Sequence, residues 1–182
     1  MATQPRSIAR LVACVIVMLL TVLASYAKAQ EQPSVGDAAK DVAKRVVLDP
    51  TTYAPAIIAY DATVRDWKSS QVFFTNGYVE RNPRFTFSGR PYDVPVGYGV
   101  GKQRILGDAF KTFQVSLIHN VTENIIERTL VTRYPEHRKL FRVLGWIERS
   151  ATSSYLAYVL SNQHYRQWRF NEQEATRLGL TK

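Results

Sequence analysis

Three long stretches of the sequence repeat apolar residues at steps of three and four, the period of a helix that buries one side. They cover about 49–76, 105–132 and 136–172. Asp49 can cap the first helix, and Asn76-Gly77 can end it because either residue tolerates a left-handed turn. The pattern predicts an all-α fold of three long amphipathic helices in a bundle.

The apolar stripe of each predicted helix marks the side that we expect to face the core. The first stripe consists of Tyr53, Ile57, Tyr60, Val64, Trp67, Gln71 and Phe74. The second consists of Leu106, Phe110, Phe113, Leu117, Val121 and Ile125. The third consists of Leu140, Leu144, Ile147, Ala151, Tyr155, Tyr158 and Tyr165. These three sides are predicted to pack against one another.

The segment 77–103 breaks the helical period and is rich in glycine and proline. Its prolines are Pro83, Pro91 and Pro95. We predict a long irregular loop here, of the kind that is often functional or mobile. The run from Gly97 to Lys102 lacks the glycine that a phosphate-binding loop needs four residues before its Gly-Lys pair, because Val96 stands there. A flexible hinge is the preferred interpretation.

The N-terminal residues have the order of a secretory signal. Arg6 and Arg10 precede an apolar run over 11–23, and Ala27-Lys28-Ala29 provides a cleavage site. We predict a signal peptide at 1–29, with export to the periplasm or the medium; an uncleaved signal anchored in the inner membrane is the alternative. Residues 30–48 form a polar segment in which 37–47 could be a short helix. The helical domain then covers 49–182, with 77–103 as its insertion.

The formal net charge of +9 indicates which partners to expect. A basic exported protein can face an anionic membrane surface or another envelope component, although the charge also serves solubility. No cluster of Lys and Arg is dense enough to predict nucleic-acid binding. The sequence predicts no cofactor and leaves a small-molecule ligand open.

Several polar residues are candidates for chemistry. His119 and Glu123 are one helical turn apart, but at about 100° per residue they lie away from the second apolar stripe, with Glu127 beyond them. A solvated face is therefore expected rather than a metal site. His164 is expected to be a hydrogen-bonded structural residue. The sequence thus predicts no metal, and His119, Glu123 and His164 are its candidate ligands.

The sequence contains no Ser-His-Asp spacing, zinc motif or haem motif. This favours a binding or structural protein over an enzyme. The alternative is an exported enzyme or metal-binding protein with a polar cleft. Its cleft would lie near Asp66, Glu80, His119 and His164.

Asp66, Ser70, Glu80 and Asn82 are predicted to form one polar binding cluster. Asp66 and Ser70 are one helical turn apart, and Glu80 can accept backbone amides in a turn that Pro83 fixes.

The same residues carry a resemblance to a family. Asp66-x-x-Ser69-Ser70 is followed by a G-x-x-E-x-N-P turn that begins at Gly77, and later by Asn162-Gln163-His164. This pattern resembles small bacterial multi-helix membrane proteins of unknown function. The chain departs from them by its signal peptide and by the larger number of charges in its helices. The resemblance implies a helical fold and no particular activity.

Overall fold

The computed structural model describes residues 35–180, and in this part of the chain the backbone is almost entirely helical. Four helices are present: α1 Val35–Leu48, α2 Ala54–Thr75, α3 Tyr98–Arg133 and α4 Arg138–Arg177. Short 3₁₀ turns occur at Pro50–Thr52, Pro83–Phe85 and Pro135–His137. The all-α prediction is confirmed, with four helices in place of three. The predicted signal at 1–29 lies outside the described residues.

The chain divides into two compact units between Arg45 and Val46, inside α1. In the first unit, the described residues of α1 carry two ion pairs along the helix surface, Lys40–Asp37 at 4.0 Å and Arg45–Asp41 at 3.3 Å. In the second unit, α2 packs against both α3 and α4, and its contact with α4 is the more extensive.

The helix ends follow the local sequence signals closely. Asp49 caps the 3₁₀ turn before α2 rather than α2 itself, since its Oδ1 accepts a hydrogen bond from the Thr51 amide at 3.0 Å. α2 ends at Thr75, and Gly77 adopts a φ of 84°, which a residue without Cβ reaches without strain. Pro135 follows the end of α3 at Arg133.

The apolar core of the second unit surrounds Trp67 of α2. Phe85 and Val96 from the loop between α2 and α3 and Ile105 from α3 pack with it, joined by a partly buried group. That group consists of Tyr60, Val64 and Phe74. Much of the first predicted stripe therefore faces the core, and the loop supplies part of that core.

The glycine-rich run belongs to a helix and is not a hinge. α3 begins at Tyr98, earlier than the predicted start near Ile105, so that Gly99 and Gly101 lie in its first turns. Trp67 Nε1 donates a hydrogen bond to the carbonyl oxygen of Tyr98 at 3.1 Å. A Cβ on Gly101 would lie 2.3 Å from a carbon of the Trp67 ring, so glycine lets this helix approach the tryptophan.

The predicted stripe of α4 faces outward rather than toward the core, except at Tyr165, which is half-buried and hydrogen-bonded to Asp61 of α2. Leu140, Leu144, Ile147, Tyr155 and Tyr158 are between 49% and 67% exposed. We call this stripe, which also contains the exposed Ala151, the α4 outer face. On the opposite side of the helix the buried residues are mostly polar or small: Arg149, Ser153, Ala157, Ser161, Asn171 and Ala175. Small side chains let neighbouring helices approach closely, which explains why this side faces inward.

α3 also buries a polar side. Ser116, Asn120, Asn124 and Glu127 are buried. Of the predicted stripe, Leu106 and Phe110 are both 58% exposed, and the other four residues are half-buried. Within residues 35–180, no helix has an apolar stretch long enough and sufficiently free of charge to cross a membrane.

Candidate functional site

Asp66 and His164 meet at the packing surface between α2 and α4. His164 Nδ1 lies 2.7 Å from Asp66 Oδ2, while Asn171 Nδ2 donates to the other carboxylate oxygen at 3.3 Å. The same amide group lies 3.0 Å from the hydroxyl oxygens of Ser69 and Ser70. An Asp–His pair can orient an imidazole as a base. Here, however, both serine hydroxyls donate to the Asp66 carbonyl oxygen, so neither hydroxyl proton is directed at His164.

The predicted four-residue cluster separates into two pairs. Asp66 and Ser70 share Asn171 as a partner, as described above. Glu80 Oε1 accepts from the Asn82 amide at 2.7 Å, and Asn82 caps the Pro83–Phe85 turn. No hydrogen bond among residues 35–180 connects one pair to the other. Glu80 and Asn82 therefore shape the loop.

A surface network lies one turn away on α2. Asp61 accepts hydrogen bonds from Arg65 Nε at 2.8 Å and from the Tyr165 hydroxyl at 2.9 Å. The Arg65 guanidinium lowers the pKa of Asp61. The pKa of Tyr165 is raised, mainly because its hydroxyl is partly buried and also because it is hydrogen-bonded to the Asp61 carboxylate. Arg65 also stacks over Trp168 at 4.9 Å. An open groove of about 430 Å³ between α2 and α4 borders this network.

A buried ionic junction joins the 3₁₀ turn before α2 to α3 and α4. Arg149 donates from Nε to Asp49 at 3.1 Å and from Nη1 to Glu127 at 2.9 Å. The Arg149 side chain is 9% exposed and the Glu127 side chain 4%. Gly145 makes room for this pair, since a Cβ there would lie 2.7 Å from Glu127 Oε2. The solvated face predicted for Glu127 is therefore wrong.

An amide network extends the same interface. Asn120 Nδ2 donates to the Thr52 hydroxyl at 3.0 Å, and Asn120 Oδ1 accepts from the Thr51 hydroxyl at 3.1 Å. Asn124 Nδ2 donates to the Asn120 carbonyl oxygen at 2.8 Å. The signal for this interior was present in the sequence as polar residues at helical spacing (Asn120, Asn124, Glu127). Hydrophobicity alone assigned Glu127 to the surface.

His119 and Glu123 lie close to a third candidate ligand, Glu148 of α4. One ligand atom from each residue lies within 4.8 Å of the others. His119 Nε2 is 3.2 Å from Glu148 Oε1, and Thr152 donates to that same oxygen at 2.9 Å. Burial, and then the charge of Glu148, raises the pKa of Glu123. The prediction found two of these residues and missed Glu148, and His164 lies in the separate Asp66 cluster.

The four residues of the predicted cleft therefore belong to three places. Asp66 and His164 form one pair, His119 lies with Glu123 and Glu148, and Glu80 belongs to the loop.

Comparisons with protein-family models, with curated proteins and with solved structures find no match for this chain.

Proposed function

We propose that this chain is a binding or structural protein of the cell envelope, and that it attaches to an anionic membrane surface through the α4 outer face. The observation that carries the proposal is the arrangement of α4, with large apolar side chains outward and polar or small side chains inward. A contiguous exposed apolar patch of this kind is uncommon on a monomeric soluble protein and marks an interaction surface.

The chemistry of the face favours lipid as the partner. Tyr155 and Tyr158 lie within it, and tyrosine is enriched where a protein meets the membrane–water boundary because its ring is apolar and its hydroxyl is wet. The stripe covers residues 140–158, which is roughly 27 Å of helix at 1.5 Å per residue. A helix of this type lies in the interface plane with its apolar side in the acyl region.

Exposed cations follow the face along α4. Arg166 and Arg169 lie beyond its end, and at about 100° per residue Arg169 is on the same side of the helix as Leu144 and Tyr155. Each Lys or Arg held near an anionic leaflet contributes about 1 kcal/mol of attraction. The apolar stripe and the flanking cations together select an anionic membrane over a neutral one. Export through the predicted signal would place the chain beside such a surface.

Vesicle flotation tests the proposal. We expect the protein to float with vesicles of phosphatidylcholine and phosphatidylglycerol, and not with phosphatidylcholine alone. Leu144→Ser with Ile147→Ser should lower partitioning by at least about 100-fold, since each buried side chain contributes about 1.5–3 kcal/mol. Phe87→Ser is the matched control, because Phe87 is 86% exposed but lies in the loop.

Two results would contradict membrane attachment. One is equal partitioning of the double variant and the wild type. The other is a stable dimer in sedimentation that depends on Leu144 and Ile147 and shows no vesicle binding; it would assign the outer face to a second copy of the chain.

A further inference from the structure

We propose that His119, Glu123 and Glu148 bind one divalent first-row transition-metal ion, of which Zn²⁺ is the representative. The three side chains come from two helices, α3 and α4, that are already packed together. This binding site is separate from the α4 outer face and does not depend on the membrane proposal.

Two buried side-chain atoms of the cluster have no hydrogen-bond partner. Across residues 35–180, three buried side-chain atoms have no hydrogen-bond partner, and two of them, His119 Nε2 and Glu148 Oε2, belong to this cluster. Glu148 Oε1 lies 3.2 Å from His119 Nε2 without the alignment of a hydrogen bond. Buried polar atoms in folded proteins are almost always satisfied, so a bound cation is a physical explanation for these two atoms.

The spacing between the candidate ligand atoms is close to that of ligands on a bound metal ion. Two ligands bound at about 2.0–2.1 Å in tetrahedral geometry lie about 3.3–3.4 Å apart. The 3.2 Å between His119 Nε2 and Glu148 Oε1 is close to that value, and the third ligand atom lies within 4.8 Å of the other two. Thr152 already fixes the Glu148 carboxylate by its hydrogen bond at 2.9 Å.

The negative charge of the two glutamates also favours a bound cation. Two carboxylates lie close together here, and the neighbouring Arg149 is engaged with Asp49 and Glu127. A divalent cation would neutralise both carboxylates. The imidazole nitrogen favours a transition metal over Mg²⁺ or Ca²⁺, which prefer oxygen ligands. Three protein ligands leave a position open for water or for a further ligand.

Calorimetric titration of tag-free, chelator-treated protein with Zn²⁺ tests the site. We expect one Zn²⁺ per chain, and Glu148→Gln and His119→Gln should each weaken binding by about tenfold or more, the loss that even an outer-shell change produces. Glu136→Gln is the matched control. It removes the carboxylate of another His–Glu pair, His137 with Glu136 at 3.8 Å, in which both side chains are 60% exposed. We expect this control to bind Zn²⁺ as the wild type does.

Thermal melting supplies a second readout that needs no measurable heat of binding. Zn²⁺ should raise the melting temperature of the wild type and of Glu136→Gln, and should leave that of folded Glu123→Gln unchanged. Absence of Zn²⁺ binding by the wild type would overturn the proposal. So would unchanged affinity in Glu148→Gln and His119→Gln, or Mg²⁺ binding as tight as that of Zn²⁺.

Discussion

Arg149→Ala should lower the free energy of unfolding by about 3–5 kcal/mol, the largest loss that we expect from any single substitution in this chain. Arg149 is hydrogen-bonded to both Asp49 and Glu127. Its removal would break both hydrogen bonds and take a positive charge away from the Glu127 carboxylate, whose side chain is only 4% exposed. Urea unfolding followed by far-ultraviolet circular dichroism measures the loss.

Arg177→Ala is the matched control for this substitution. Arg177 pairs with Glu174 on the same helix, but its side chain is 69% exposed. Solvent-exposed ion pairs contribute about 1 kcal/mol or less, because water screens the charges. If Arg149→Ala costs no more than Arg177→Ala, the buried ionic junction does not hold the three elements together as described.

Gly101→Ala and Gly107→Ala should change stability in opposite directions, although both lie in α3. At Gly101 the new methyl group would lie 2.3–2.5 Å from three atoms of the Trp67 ring, which is fixed by the core and by its hydrogen bond to Tyr98. Overpacking of a rigid ring costs about 1–3 kcal/mol, and this exceeds the gain in helix propensity. At the exposed Gly107 nothing lies within 4 Å of the added Cβ, so we expect a gain of about 0.5–1 kcal/mol.

Differential scanning calorimetry of the two glycine variants and the wild type gives both signs in one experiment. A Gly101→Ala variant as stable as Gly107→Ala would mean that the start of α3 does not pack against Trp67.

Local signals in the sequence predicted the helical segments better than they predicted the interior. Asn76-Gly77 and Pro135 end helices through their own backbone preferences, which depend on no distant residue. The start of α3 was misplaced because Gly101 looks like a helix breaker until Trp67 is brought beside it. Glycine there serves packing rather than flexibility.

The sequence could not predict which side of α4 faces the other helices. A hydrophobic stripe indicates which side avoids water, but it does not indicate what covers that side. Leu144 and Ile147 suggested a core, whereas Arg149 and Ser153 are the side chains that face the other helices. Arg149 is tolerated inside only because Asp49 and Glu127 lie beside it after assembly.

The candidate sites were also predictable only where their residues are close together in the sequence. Pairs one helical turn apart, such as Asp66 with Ser70 and His119 with Glu123, were visible in the sequence. Their partners on α4, His164 and Glu148, are brought to them only by the tertiary fold. The sequence therefore predicted only the residues of each site that lie on one helix. It also grouped Glu80 and Asn82 with Asp66, whereas their hydrogen bonds lie within the loop.

The most direct test of the account is thiol labelling of single-cysteine variants with a maleimide, with and without anionic vesicles. Cys14 is the only cysteine of the chain and is replaced by serine in all of them. We expect fast labelling of Ile147→Cys and Tyr155→Cys, slow labelling of Ser153→Cys and Ser161→Cys, and vesicle protection of the first two alone. Fast labelling at Ser153 and Ser161, with slow labelling at Ile147 and Tyr155, would contradict the account.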